Sequence, residues 1–212
     1  MIGYNGAKPA VTRVPRQIST NTDNGKTYEI NNWFSFASTD LYVYISTTYP
    51  TFHQLLVKAG LALEKEYRYN FISESEFYTI FVPSAAAITV SNANSLPKEE
   101  LQKFLRMHFI AGQHIFTDGN KPSGYYETTR IDEKSTPFST VYSQVYIGTE
   151  PDRIRFRYRN GENYLTIQES PVVNTIAIRN LGTGNEPIKN IMATAVIHEI
   201  NKVLVFDQLD TK

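Results

Sequence analysis

The sequence predicts an α+β fold, with helices clustered in the first half of the chain and strands in the second half. Apolar residues from Phe52 to Leu63 recur at helical spacing, whereas from Phe138 onward the apolar period changes to two. With 41% hydrophobic and 20% charged residues, the 212-residue chain can bury a sizeable core. Helices and strands that come in separate blocks argue against a parallel sheet of βαβ units.

The first part of the chain changes from extended to helical near residue 50. Residues 1–20 contain Gly and Pro with few large apolar side chains, and we expect them to be extended or poorly ordered. Short strands are predicted at Thr27–Ile30, at Trp33–Phe36 and over the alternating Leu41, Val43 and Ile45. A helix is predicted to begin at Pro50, because Thr47 and Thr48 offer caps and proline suits a first helical turn. It is predicted to end near Gly60.

Further helices and a series of strands follow. Phe77–Val82 predicts a buried strand that ends at Pro83, and Ser84 is predicted to cap the short helix behind it. Another helix is predicted to begin at Pro97, since acidic residues occupy its first turn, where the helix dipole favours them. Later strands are predicted at Val141–Ile147, Arg153–Arg159, Tyr164–Gln168, Val172–Ile178 and Val196–Phe206, with a hairpin turn at Asn160-Gly161.

Four segments of the chain follow one another in an order that is typical of one family. They are Tyr49–Leu61 (YPTFHQLLVKAGL), Tyr78–Ser84 (YTIFVPS), Leu101–Gly112 (LQKFLRMHFIAG) and Ile191–Leu204 (IMATAVIHEINKVL). Together they make the stretch from Tyr49 to Phe206 resemble a fasciclin-like domain. The resemblance implies helices packed on a mainly antiparallel β-sandwich or wedge. It also implies a non-catalytic adhesion module that binds a protein or matrix partner outside the cell or at its surface.

The resemblance divides the chain into two parts. We expect residues 46–212 to form the fasciclin-like domain and residues 1–45 to form an N-terminal extension. Within the extension, Thr22–Phe34 (TDNGKTYEINNWF) resembles the closing strand of such a domain. Residues 1–45 are therefore interpreted either as the tail of a preceding fasciclin-like domain or as an extension that adds strands to its own domain.

Two candidate binding positions come from the resemblance. His108 takes the histidine place of the family's Tyr-His pair, with Met107 at the tyrosine place. We interpret His108 as a buried structural histidine, with a contribution to an adhesion surface as the alternative. Asn190-Ile191 occupies the place of an Asp-Ile pair that is implicated in integrin recognition in some members. Because the amide lacks the charge that could join a receptor's metal ion, integrin binding is disfavoured.

A third candidate site comes from the residues alone. Four arginines lie at every second position of one predicted strand, namely Arg153, Arg155, Arg157 and Arg159. Alternation places the four guanidinium groups on one face, where they could bind sulfate or carboxylate groups of an anionic polysaccharide. The alternative is a solvated face that is paired with acids on neighbouring strands. The 14 tyrosines, including Tyr125-Tyr126 in an expected loop, similarly fit either sugar stacking or packing.

Composition and motifs disfavour several other functions. Basic and acidic residues number 21 each, so no overall field draws the chain to nucleic acid. The absence of cysteine excludes a thiolate metal site and a cysteine nucleophile. His198-Glu199 lacks a second histidine at the spacing of zinc proteases, and no Gly-x-Ser-x-Gly motif occurs. We therefore predict no catalytic residues, no metal and no cofactor, although paired carboxylates that meet only in space escape this test.

The sequence also carries expectations about location. No apolar run approaches the roughly 20 residues of a membrane helix, and the opening residues lack the apolar core of a signal peptide. The absence of any Asn-x-Ser/Thr acceptor fits a bacterial protein. We expect an extracellular or cell-surface location, with an outer-membrane lipoprotein anchored upstream as one form. The expected partner is a protein, another fasciclin-like domain or a polysaccharide.

Overall fold

The computed structural model describes the chain in nine ranges, and the statements below concern them. These ranges are 16–19, 27–29, 40–73, 76–117, 119–150, 153–160, 164–166, 175–178 and 193–212. Helices within them are α1 Leu41–Thr48, α2 Pro50–Lys58, α3 Ala85–Ser91 and α4 Lys98–Arg106. Strands are β1 Arg16–Ser19, β2 Thr27–Glu29, β3 Ala62–Leu63, β4 Arg68–Tyr69, β5 Tyr78–Pro83, β6 Phe109–Ala111, β7 Gly124–Ile131, β8 Tyr142–Glu150, β9 Arg153–Arg157, β10 Tyr164–Thr166, β11 Thr175–Ile178 and β12 Ala193–Ile200.

One sheet of eight strands organises the structure, in the order β10-β9-β8-β7-β6-β5-β12-β11. Strand β12 runs parallel to β5, with Ala195 opposite Tyr78 and Ile200 opposite Pro83. The other neighbouring strands of this sheet are antiparallel. Strands β1 and β2 form a separate antiparallel pair, as do β3 and β4. The predicted α+β class with a mainly antiparallel sheet is confirmed.

Strand β5 is buried on both faces and separates two apolar cores. Ile80 and Val82 belong to the first core, which the four helices cover. Phe81 points to the opposite face and belongs to the second core, together with Val145 of β8 and Phe156 of β9. Because side chains alternate along a strand, this division requires the sheet to curl until β8 and β9 cover the face opposite the helices. The expected wedge of helices on a folded sheet follows from that curl.

The strand that was predicted over Leu41, Val43 and Ile45 is wrong, because these residues lie in helix α1. Asp40 caps this helix, and its carboxylate accepts hydrogen bonds from the backbone N–H groups of Tyr42 at 2.8 Å and Val43 at 3.1 Å. Leu41 and Ile45 are buried, whereas Val43 is 44% exposed. A spacing of four fits both a strand face and a helix face, so the alternation alone could not separate the two structures.

The other helix predictions are confirmed, with one change at a cap. Helix α2 begins at Pro50, and Gly60 behind it has the positive φ of 70° that favours glycine. Its cap is Tyr49, which makes no side-chain capping bond, rather than the predicted threonines. Ser84 caps α3 as predicted, since its hydroxyl accepts from the N–H of Ala87 at 3.2 Å.

Most predicted strands are present, with differences at both ends of the β region. Strand β7 was missed, and it contains Tyr125-Tyr126, which we expected in a loop. Strand β12 ends at Ile200, whereas the predicted strand continued to Phe206. The antiparallel pairing of β9 with β10 agrees with the predicted hairpin, and Asn160 lies in a turn. The strand expected at Trp33–Phe36 lies outside the described residues.

The expected domain boundary between residues 45 and 46 falls within helix α1. Leu41 and Ile45 from the N-terminal side of that boundary share a core with Phe52 and Leu56 from the other side. The assignment of residues 1–45 stays a prediction. The packing of α1 nevertheless gives a direct way to test where the folding unit begins.

Exchange of Ile45 for alanine should lower the free energy of unfolding by about 2–5 kcal/mol, because the fully buried side chain leaves a cavity among the helices. Val43→Ala on the same helix is the matched control, since its half-exposed side chain should change stability by only about 0.5 kcal/mol. Urea unfolding of both variants measures the difference. Equal stability of Ile45→Ala and the parent would contradict a folding unit that includes α1.

Candidate functional site

His108 is a fully buried histidine at the turn between α4 and β6. Its Nδ1 atom lies 2.9 Å from the carbonyl oxygen of Phe104, and its Nε2 atom lies 3.0 Å from the backbone nitrogen of Leu204. A carbonyl only accepts and a backbone N–H only donates, so Nδ1 carries the proton and Nε2 accepts. The imidazole therefore joins the end of α4 to the chain that follows β12.

Burial keeps this imidazole neutral. Desolvation lowers the pKa of His108 to about 4, although hydrogen bonds to the backbone at Phe104 and Leu105 act in the opposite direction. A proton on Nε2 would also face the N–H of Leu204, where two donors would oppose each other. Both ring nitrogens of His108 therefore already have backbone hydrogen-bond partners, which fits a structural role.

A second buried histidine holds the loop that follows β6. The Nε2 atom of His198 donates to the carbonyl oxygen of Ile115 at 2.8 Å, and its ring stacks on Phe81 with centroids 5.4 Å apart. The hydroxyl of Thr79 accepts from the N–H of Ile115 at 2.8 Å and donates to the carbonyl of Gln113 at 2.8 Å. Burial lowers the pKa of His198 to about 4 as well. Strands β5 and β12 therefore each contribute one polar side chain, Thr79 and His198, that holds the backbone of this loop.

The arginine row lies on the outer face of β9, and acidic residues meet three of its four members. Arg153 and Arg155 lie 3.8 Å and 3.6 Å from the same carboxylate oxygen of Glu150. Both Nε and a terminal nitrogen of Arg157 lie 2.6 Å from one carboxylate oxygen of Asp210. Arg159 is exposed in the turn after β9. The row is thus a half-exposed surface on which carboxylates already neutralise part of the positive charge.

Aromatic rings extend this surface over β7 and β8. The guanidinium carbon of Arg157 lies 3.4 Å from the ring centre of Tyr146, and the ammonium of Lys212 lies 4.0 Å from that of Tyr125. Tyr125 also donates to Asp210 at 2.9 Å. We call the surface formed by Tyr125, Tyr146, Arg155, Arg157 and Lys212 the outer β7–β9 face. The arginines of this face follow from an alternating pattern in the sequence. Tyr146, Asp210 and Lys212 could not be predicted, because no local pattern relates residues that lie so far apart in the chain.

The remaining predicted position, Asn190-Ile191, lies outside the described residues. His108 is fully buried, whereas the arginine row lies on the surface of β9. The structure therefore does not bring these candidates together. All of these site assignments stay predictions.

The described ranges contain neither a cluster of metal-ligating side chains nor a membrane-spanning helix. No group of three or more His, Cys, Asp or Glu side chains in this part of the chain could hold a metal ion. No helix among the described residues is long and apolar enough to cross a membrane.

Comparisons with known proteins identify one family. The family model described as Fasciclin domain matches residues 47–206, a range that includes all four segments behind the resemblance and confirms it. A solved structure of a FAS1 domain pair from the insect cell adhesion molecule fasciclin I is similar, with a TM-score of 0.48 and 10% identity. That alignment covers 90% of this chain and 59% of the insect chain, so this chain spans less than two thirds of the pair. No curated protein matches the sequence with significance.

Acidification from pH 7 to pH 5 should destabilise the fold by about 2 kcal/mol for each of His108 and His198. Both groups have a folded pKa near 4, below the unfolded value, so the unfolded chain binds more protons as the pH falls through this window. Urea midpoints measured at both pH values test the effect, and a His53→Asn variant, which removes a less buried imidazole, should retain most of it. A midpoint that does not change with pH would contradict the conclusion that His108 and His198 are buried as neutral rings.

Proposed function

The chain belongs to the fasciclin domain family, and on that premise we propose that it binds a protein or matrix partner as an adhesion module at the cell surface or outside the cell. Fasciclin domains are generally non-catalytic adhesion modules. The observation that carries the proposal is the Fasciclin domain match over residues 47–206. His108 and His198 agree with it, since both rings are buried, neutral and hydrogen bonded to backbone, so neither is placed to exchange a proton with a substrate.

The partner is proposed to be a protein, with another fasciclin domain as one form of it. The outer β7–β9 face supports this choice, because carboxylates and aromatic rings already contact its cations. A surface of this kind is suited to a protein partner that offers hydrogen bonds and apolar contacts as well as charge. The cell-surface location, a lipid anchor upstream and a bacterial source belong to the same proposal.

A second candidate function is carbohydrate binding at the outer β7–β9 face. The observation that favours it is the association of Tyr125 and Tyr146 with Arg157 and Lys212, since aromatic rings and cations are the groups that bind anionic sugars. The carboxylates of Glu150 and Asp210 oppose it, because a sulfate or uronate would have to replace them. Protein adhesion is therefore the first proposal.

Residues 1–45 complete the proposal for the chain's organisation. We propose that they are either the tail of a preceding fasciclin domain or an extension that supplements this one. The pairing of β1 with β2 fits both versions, since each is a short strand segment. The protein sequence encoded immediately upstream distinguishes them, because a tail requires a helix-rich half domain before it.

Beads coated with the chain should adhere to cells of the source organism more strongly than beads coated with serum albumin. If the partner is a protein, protease treatment of the cells should abolish the difference, while polysaccharide lyase treatment should leave it intact. The measurement is the number of beads retained after washing. Retention equal to that of albumin beads would contradict an adhesive function.

The double exchange Arg155→Ala with Arg157→Ala tests the carbohydrate alternative. Retention on heparin or pectin at low salt should be weak for the parent, because Glu150 and Asp210 already occupy the two guanidinium groups. If these polysaccharides are the ligands, the parent should instead be retained strongly and the double variant should elute early. Arg68→Ala, at an exposed ion pair on β4, is the matched control for the loss of a surface charge.

A further inference from the structure

We infer that the chain self-associates head to tail, with Phe138 of one molecule inserted into an apolar groove beside helix α3 of a second copy. The inference rests on the proposed adhesive function, since it names a partner and the surfaces that meet. Two features of the same chain carry it. One is a rigid hairpin with an exposed aromatic tip, and the other is an uncovered apolar groove.

The hairpin spans residues 132–141, between β7 and β8, and we call it the β7–β8 hairpin. Phe138 at its tip is 99% exposed, so no part of its own molecule covers the ring. Thr136 and Ser139 exchange both backbone hydrogen bonds across the tip, at 2.9 Å and 3.2 Å. Because an ordered turn holds this ring in water, the ring is available to a partner and its backbone loses little conformational freedom when it is covered.

Buried polar groups hold the base of the β7–β8 hairpin. Arg130 donates to the hydroxyl of Ser143 at 2.7 Å, and that hydroxyl donates to the carboxylate of Asp132 at 3.1 Å. Arg130 also forms an ion pair with Glu133 at 2.6 Å and lies over the ring of Phe206. The arm that carries Phe138 is therefore preorganised, so little conformational freedom is lost when it binds.

The groove lies between α3 and the extended chain that follows β12, and we call it the α3 groove. Its volume is about 560 Å³, and its apolar lining comprises Ala86, Ala87, Val90, Val203 and Val205. Val90 is 87% exposed, so this wall has no cover in the monomer. The N–H of Leu204 bonds inward to His108, which fixes the opposite wall. The α3 groove is thus preformed and open.

The low charge of its lining makes the α3 groove the better match for this hairpin tip. The tip residues 136–139 are uncharged, and Lys202 is the charged residue in the lining of the α3 groove. By contrast, the groove between α4 and residues 204–207 has five charged residues in its lining, namely Glu100, Lys103, Arg130, Glu133 and Asp207. An aromatic ring would desolvate those charges without offering them partners, whereas the α3 groove offers apolar walls. Among these two grooves, the tip fits the one beside α3.

The geometry makes the contact heterologous, because the hairpin and the α3 groove are different surfaces of one molecule. A dimer then still offers one free tip and one free groove, so association can continue into chains. A contact built on a single ring is small and weak in solution. It gains strength when many copies are displayed on opposing surfaces, which is the setting of an adhesion module.

Sedimentation velocity of the purified chain over a concentration series tests the inference with two complementary variants. Phe138→Asp removes the tip and Val90→Glu blocks the groove, so each alone should weaken self-association about tenfold or more. A mixture of the two should restore a one-to-one dimer that grows no further, since one intact tip meets one intact groove. Val43→Lys, at an exposed position outside both surfaces, should associate as the parent does.

Circular dichroism and thermal unfolding verify that the variants are folded, as expected for changes at exposed side chains. Parent-like association of both single variants, or a mixture that stays monomeric, would overturn the inference. The bead assay separates this result from the proposed function. Adhesion to cells without self-association overturns the head-to-tail contact alone, whereas self-association without adhesion to cells overturns the adhesive function alone.

Discussion

Burial of strand β5 on both faces is the constraint on which the rest of the structure depends. A strand with apolar side chains on each face needs two covers, and here the helices supply one while β8 and β9 supply the other. Its backbone groups also need partners on both edges, because buried N–H and carbonyl groups are costly to leave unpaired. Strand β6 pairs with one edge and the parallel strand β12 with the other.

The buried histidines meet the same requirement for backbone polar groups that lie outside the strand pairing. Where α4 ends and where the chain leaves β12, a carbonyl and an N–H point into the protein. A neutral imidazole presents one donor and one acceptor on opposite sides of a rigid ring, so His108 satisfies both groups at once. The family's histidine can therefore be retained in this chain for its shape and hydrogen bonds, even though Met107 takes the place of the neighbouring tyrosine.

The sequence predicted the elements that carry local signals and failed where the signal was ambiguous or distant. Helix α2 was found through Pro50 and Gly60, and α3 through the serine cap, because these residues act on their own backbone. Helix α1 was mistaken for a strand because Leu41 and Ile45 fit either period. The arginines of β9 were visible as an alternating row, but the partner of Arg157 was not, since Asp210 follows 53 residues later. Phe138 was seen only as the start of a β region, because exposure cannot be read from a residue type.

The pairing of β5 with β12 also determines when the protein can complete its folding during synthesis. More than 100 residues separate the two strands, so during synthesis β5 leaves the ribosome long before its parallel partner exists. The hydrogen bond from Leu204 to His108 closes a loop of similar size, whose ends are 96 positions apart in the sequence. Contacts between residues so distant in sequence make folding slow. Until β12 emerges, one edge of the apolar strand β5 remains without its final partner in the nascent chain, and an edge of this kind is prone to aggregation.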